Sequence, residues 1–136
     1  MGGYGVMVHS VINIGRWVID FLFATDRYDI DGVLSCLYDC GASMTTMDEA
    51  ESLMKDHKRD KGFSYSNPKT KRGIVVVGPS SSGAEFINTL VHEIRHVADA
   101  IAKSIGYQLD GELPAYVSGE AAMELVDVIC EFGCRR

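Results

Sequence analysis

Proline is scarce in this chain, 3 residues among 136. No apolar run approaches the roughly 20 residues that a bilayer-spanning helix needs, so no membrane partner is expected. The start, Met1-Gly2-Gly3-Tyr4-Gly5, has none of the basic region, apolar core and cleavage site of a signal peptide. Val6 stands where an acylation signal needs Ser or Thr. The expected compartment is therefore the cytoplasm. Cysteine is sparse as well. Cys36/Cys40 and Cys130/Cys134 form two pairs, each spaced four apart on an expected helix, whereas structural zinc draws its thiolate pairs from turns. Half-buried, reduced thiols and no disulfide are expected. Two superficial motifs also lack their decisive residue. Asp26, Asp29 and Asp31 have no downstream bidentate Glu at calcium-loop spacing, and Gly78-Pro79-Ser80-Ser81-Ser82-Gly83 has no following Gly-Lys-Ser/Thr.

What is present suits a globule. With 46% hydrophobic residues over 136 positions, the chain has enough apolar matter for one core and is too short for two, so a single α+β domain over 1–136 is expected. The net charge of −6 argues against a general nucleic-acid binder. The distribution is uneven, however. Lys55, Lys58, Arg59, Lys61, Lys69, Lys71 and Arg72 face only Asp56 and Asp60 within the strip 55–72. Such a strip meets an acidic partner or a phosphate backbone in one reading; the plainer reading is a solvated helix end and hairpin loop.

Local patterning supplies the elements. Residues 5–12 are rich in β-branched side chains and read as a strand. After the turn signal Asn13-Ile14-Gly15, residues 16–23 form its hairpin partner, with Trp17, Ile19, Phe21 and Phe23 on one face. His9, inside the first strand, reads as structural. Ile30, Val33, Leu34, Leu37 and Tyr38 give helical spacing up to Gly41. Thr46 with Glu49 three residues on makes a capping box for a polar helix running to about Asp60, with Leu53, Met54 and His57 inward. His57 reads as a surface residue, with a role as electrophile beside the site as the alternative. A second hairpin spans 62–66 and 74–78.

The chemistry concentrates in His92-Glu93-Ile94-Arg95-His96. Residues four apart on a helix share a face, so His92 and His96 direct two imidazoles to one point, the spacing for two ligands of one zinc ion. Glu93, one position round, reaches a metal-bound water without displacing it, where a general base for hydrolysis belongs. Ile87, Leu90, Val91, Ile94, Val97, Ala98, Ile101 and Ile105 make the helix amphipathic, with the histidines expected to flank the buried stripe. An ordinary surface helix with solvated histidines is the alternative.

A catalytic zinc keeps three protein ligands and one open position. Ala102 stands six residues after His96, where the longer metzincin motif has a third His, so the remaining ligand must be an acid. Asp99 is short and better placed to orient an imidazole. Glu112 opens a later helix, since Pro114 is tolerated only in a first turn, and Ala115 and Gly119 are small enough for close approach to the histidine helix. Glu120 is the rival ligand. Tyr116, one turn past Glu112, is a candidate donor to the oxyanion of a tetrahedral intermediate, with packing as the alternative.

His92-Glu93-x-x-His96, followed 16 residues later by Glu112-x-x-Ala115-Tyr116, resembles the small gluzincin-type metallopeptidases, among them the ImmA/IrrE and SprT-like groups and short phage or bacterial peptidases. The resemblance covers about residues 73–131 and leaves the first seventy without a relative. It implies a minimal zincin-like domain: a small, mainly antiparallel sheet beside the histidine helix and a glutamate-bearing helix. It further implies Zn2+ on His92, His96 and Glu112, Glu93 as catalytic base, and a peptide or protein substrate. The strand entering the histidine helix would line the cleft and pair with substrate. Two other classes stay open: a peptide- or regulator-binding module without catalysis, and a DNA-associated protein using strip 55–72.

Overall fold

Strands rich in β-branched and aromatic residues build the first unit of the computed structural model, which describes residues 8–23, 29–55, 62–79, 81–106 and 112–133. Strands β1 (Val8–Ile14) and β2 (Trp17–Phe23) pair antiparallel with Ile14 opposite Trp17. The turn is Gly15-Arg16, one residue later than the turn signal implied, because Ile14 is needed in the core. Gly15 adopts φ 58, a conformation glycine reaches without the Cβ penalty. Helix α1 (Ile30–Asp39) buries Val33 and Leu37, while Tyr38 points to solvent, and Gly41 at φ 84 ends it.

Helix α2 (Met44–Lys55) begins earlier than the capping box predicted. Ser43 accepts the Thr46 N–H at 3.2 Å, so Ser43 is the cap and Thr46 already lies inside the helix. Ala50 is its buried residue, and Leu53 is exposed. Strands β3 (Gly62–Asn67) and β4 (Arg72–Val77) form the second hairpin. Its loop satisfies the end of α1: Asn67 Nδ2 and Thr70 Oγ1 donate to the Cys40 carbonyl at 2.9 and 2.8 Å.

The sheet order is β1-β2-β4-β3, with β2 and β4 parallel between two antiparallel pairs. The strand that enters the histidine helix, β4, is therefore interior, and β3 forms the edge. Helices α3 (Gly83–Ser104), α4 (Glu112–Glu124) and α5 (Val126–Gly133) complete the α+β domain. They cover one sheet face, where Trp17, Ile19, Phe21, Phe23, Val75 and Val77 meet Phe86, Leu90 and Val97. The other face carries Leu22, Ile74 and Val76 under α1 and α2. Covered on both faces, β2 and β4 are almost continuously apolar. No helix among the described residues is long and apolar enough to cross a membrane.

Candidate functional site

Helix α3 starts where Ser82 accepts the Glu85 N–H at 3.2 Å. Its buried stripe runs through Phe86, Leu90, Glu93, Ile94, Val97 and Ile101. The rotation of 100° per residue then carries His92 and His96 away from the core, and both are exposed. They do not flank the stripe as expected; Glu93, between them in sequence, joins it. The two Nε2 atoms stand 3.1 Å apart, with ring centroids at 4.6 Å and planes at 85°. Two nitrogens bound to one tetrahedral zinc at about 2.0–2.1 Å are about 3.3 Å apart. The imidazoles are thus spaced as two ligands of one ion would be, and one ring nitrogen donates to the other.

Glu93 is only 6% exposed and its carboxylate has no hydrogen-bond or ion-pair partner among the described residues. Its oxygens still reach solvent, since Arg72 Nε is the one buried side-chain polar atom among those residues left without a partner. A carboxylate with a buried stem and solvent-reaching oxygens keeps water rather than protein as its partner. Its stem lies against the first residue of the edge strand: a Cβ built on Gly62 would stand 3.3 Å from Glu93 Cγ. Gly62 is what allows β3 to lie this close to the motif.

The third ligand is not beside the pair. Among the described residues, the one set of three or more His, Cys, Asp or Glu side chains with ligand atoms all within 4.8 Å of one another does not include His92, His96, Glu112 or Glu120. Helix α4 packs on α3 through Val117 and Ala121, which lie on the face opposite Glu112. Glu112, Ala115, Tyr116, Gly119, Glu120 and Met123 instead line an open groove on its outer side. Tyr116 is 71% exposed, and a Cβ on Gly119 would meet nothing within 4 Å, so the small residues do not serve close helix packing. Asp99 accepts from Arg95 Nε at 2.8 Å. The donor set fits a metal at the two imidazole positions and lacks the carboxylate in this arrangement.

A second polar cluster lies across the sheet, and sequence patterning missed it. His9 Nε2 is 2.8 Å from Asp20 Oδ1, Arg72 donates to Asp20 Oδ2 at 3.4 Å, and Cys36 completes a set with His9 and Asp20 whose ligand atoms all lie within 4.8 Å. Burial, then the nearby Asp20 charge, raises the Cys36 thiol; the same causes push Cys40 up to about 11. The available signal was parity: His9 and Asp20 sit on strands whose opposite-parity residues are the apolar ones facing α3.

Of the basic strip, Lys55 pairs with Glu51 at 2.6 Å and Arg72 with Asp20, while Lys69 and Lys71 lie in the β3–β4 loop region. Residues 56–61, with His57, and Cys134 lie outside the described residues. No family model matches the chain, and no curated protein and no solved structure is found similar to it.

Proposed function

We propose that the chain is a zinc-dependent peptidase whose metal is held by His92 and His96 and whose general base is Glu93. The observation that carries this reading is the exposed imidazole pair, 3.1 Å apart, next to a glutamate with a buried stem whose carboxylate has no protein partner among the described residues and still reaches solvent. Bound there, zinc would supply a coordinated water of pKa near about 7 and polarise a peptide carbonyl. Glu93 would hold a proton taken from the attacking water and hand it to the leaving amine. The edge of β3 accepts an extended peptide through main-chain hydrogen bonds, and Gly62 sets that edge beside Glu93. Glu112 is the third ligand in this reading, which requires the first turn of α4 to shift toward the histidines when metal binds. Loss of zinc affinity in Glu112→Ala but not Glu120→Ala identifies it. The free thiols Cys36, Cys40 and Cys130 suit a reducing cytoplasm.

The test is hydrolysis of a generic unfolded protein with and without chelator. Chelator should stop cleavage, and Glu93→Gln should abolish it while zinc stays bound. Cleavage by Glu93→Gln at the wild-type rate rules out the proposed base. The separation of Glu112 from the imidazoles favours one second reading, a non-catalytic peptide-binding module on the same strand edge. It predicts peptide binding with no chelator-sensitive cleavage.

A further inference from the structure

Asp20 lies on an interior strand and is 4% exposed, an expensive place for a carboxylate unless other groups satisfy it. Three elements converge on it. In the β1–β2 register Val11 is opposite Asp20, which makes His9 its diagonal neighbour on the same sheet face. Val18 is opposite Arg72 across the parallel pair, so Arg72 is the diagonal neighbour on the other side. Helix α1 covers this face and lowers Cys36 onto it.

We propose that His9, Asp20 and Cys36 form a second transition-metal site, of the zinc class, independent of the His92–His96 pair. Imidazole nitrogen, carboxylate oxygen and thiolate sulfur are the three donor types that zinc takes, and three protein ligands leave a fourth position for solvent. Around one tetrahedral ion these donors stand about 3.3–3.6 Å apart. The present set, all within 4.8 Å, therefore needs side-chain rotation and no rearrangement of the backbone. Asp20 uses its two oxygens separately. Oδ1 faces His9, and Oδ2 is held at 3.4 Å by Arg72, the outer hydrogen bond that fixes a ligating carboxylate. The His9 side chain is 42% exposed, which opens a path for the ion. On binding, the ion takes the place of the proton on His9 Nε2, the neutral ring then carries its proton on Nδ1, and the Cys36 thiol proton leaves to solvent.

Cobalt(II) titration of the full chain, reduced and stripped of metal, tests this by a signature that the other site cannot give. Thiolate-to-cobalt charge transfer produces a near-ultraviolet band, and His92, His96 and Glu112 contain no sulfur. Wild type and the His92→Ala/His96→Ala variant should both develop the band to saturation, and zinc should bleach it. Cys36→Ser should abolish it, while Cys40→Ser and Cys130→Ser keep it. His9→Ala and Asp20→Asn should each weaken cobalt binding by about tenfold or more. Because Cys36→Ser changes one atom and His9 lies on the sheet's outer strand, metal-free melting curves close to wild type will confirm that both variants fold. Absence of the band in wild type, or its survival in Cys36→Ser, overturns the site and leaves the peptidase reading untouched.

Discussion

Replacing Glu93 by methionine should stabilise the metal-free protein. The wild-type side chain is 6% exposed and its carboxylate has no hydrogen-bond or ion-pair partner among the described residues. Its oxygens still reach solvent, so their partial desolvation costs about 1 kcal/mol, the low end of the range for an unmade hydrogen bond, and methionine has nearly the same length without that demand. Unfolding entropy of about 2.1 cal/mol/K per residue over 136 residues gives about 0.29 kcal/mol/K. Each kcal/mol is then worth about 3.5 °C, and Glu93→Met should raise the melting temperature by about 3–4 °C. Differential scanning calorimetry in the presence of chelator measures it. Such a gain is what a residue retained for chemistry rather than stability would show. A melting temperature lowered by several degrees would mean that the carboxylate has a stabilising partner, and the case for Glu93 as a poised base would fail.

Two more outcomes follow from particular contacts. In Gly62→Ala the new methyl would stand 2.6 Å from the Val76 carbonyl oxygen and 2.9 Å from Thr89 Cγ2, and a backbone oxygen cannot swing aside. A loss of about 1–3 kcal/mol in urea unfolding is expected, and peptide binding at the β3 edge should weaken with it. Cys40 gives a pH dependence. Its thiol rises from 9.0 to about 11 in the fold, so the folded state favours the neutral form. That contribution is fully present below pH 9 and is lost as pH climbs toward 11, up to about 2.7 kcal/mol in all. Wild type should therefore lose stability over that range relative to Cys40→Ala; parallel curves would show that the thiol is not held neutral.

Much of the fold was legible because its signals are local. Alternation in β2 put Trp17, Ile19, Phe21 and Phe23 on one face, and the helical stripe of α3 was clear from Leu90, Ile94 and Val97. Cap chemistry was less decisive. Ser43 and Thr46 are both acceptable cap residues, and the fold uses Ser43, which accepts the Thr46 N–H. The parallel pairing of β2 with β4 shows only indirectly, in the near-continuous apolar run of each strand, since the pairing itself arises from the crossover through α1 and α2. It also moved the exposed edge from β4 to β3. Helix α4 misled for a different reason: its apolar residues are spread around the axis, so small side chains at Ala115 and Gly119 looked like a packing face. The packed face is Pro114, Val117 and Ala121, which turns Glu112 outward. The cluster of His9, Asp20 and Cys36 joins two strands and a helix, and no spacing within one element could have announced it.

Equilibrium zinc binding by the wild type and by the His92→Ala/His96→Ala variant, both in the Cys36→Ser background, isolates the imidazole pair from any thiolate site. The imidazoles stand 3.1 Å apart and directed at one another, so the wild-type pair should bind one zinc that the double alanine variant loses. Equal zinc uptake by the two proteins would contradict a metal on α3 and, with it, hydrolysis through Glu93.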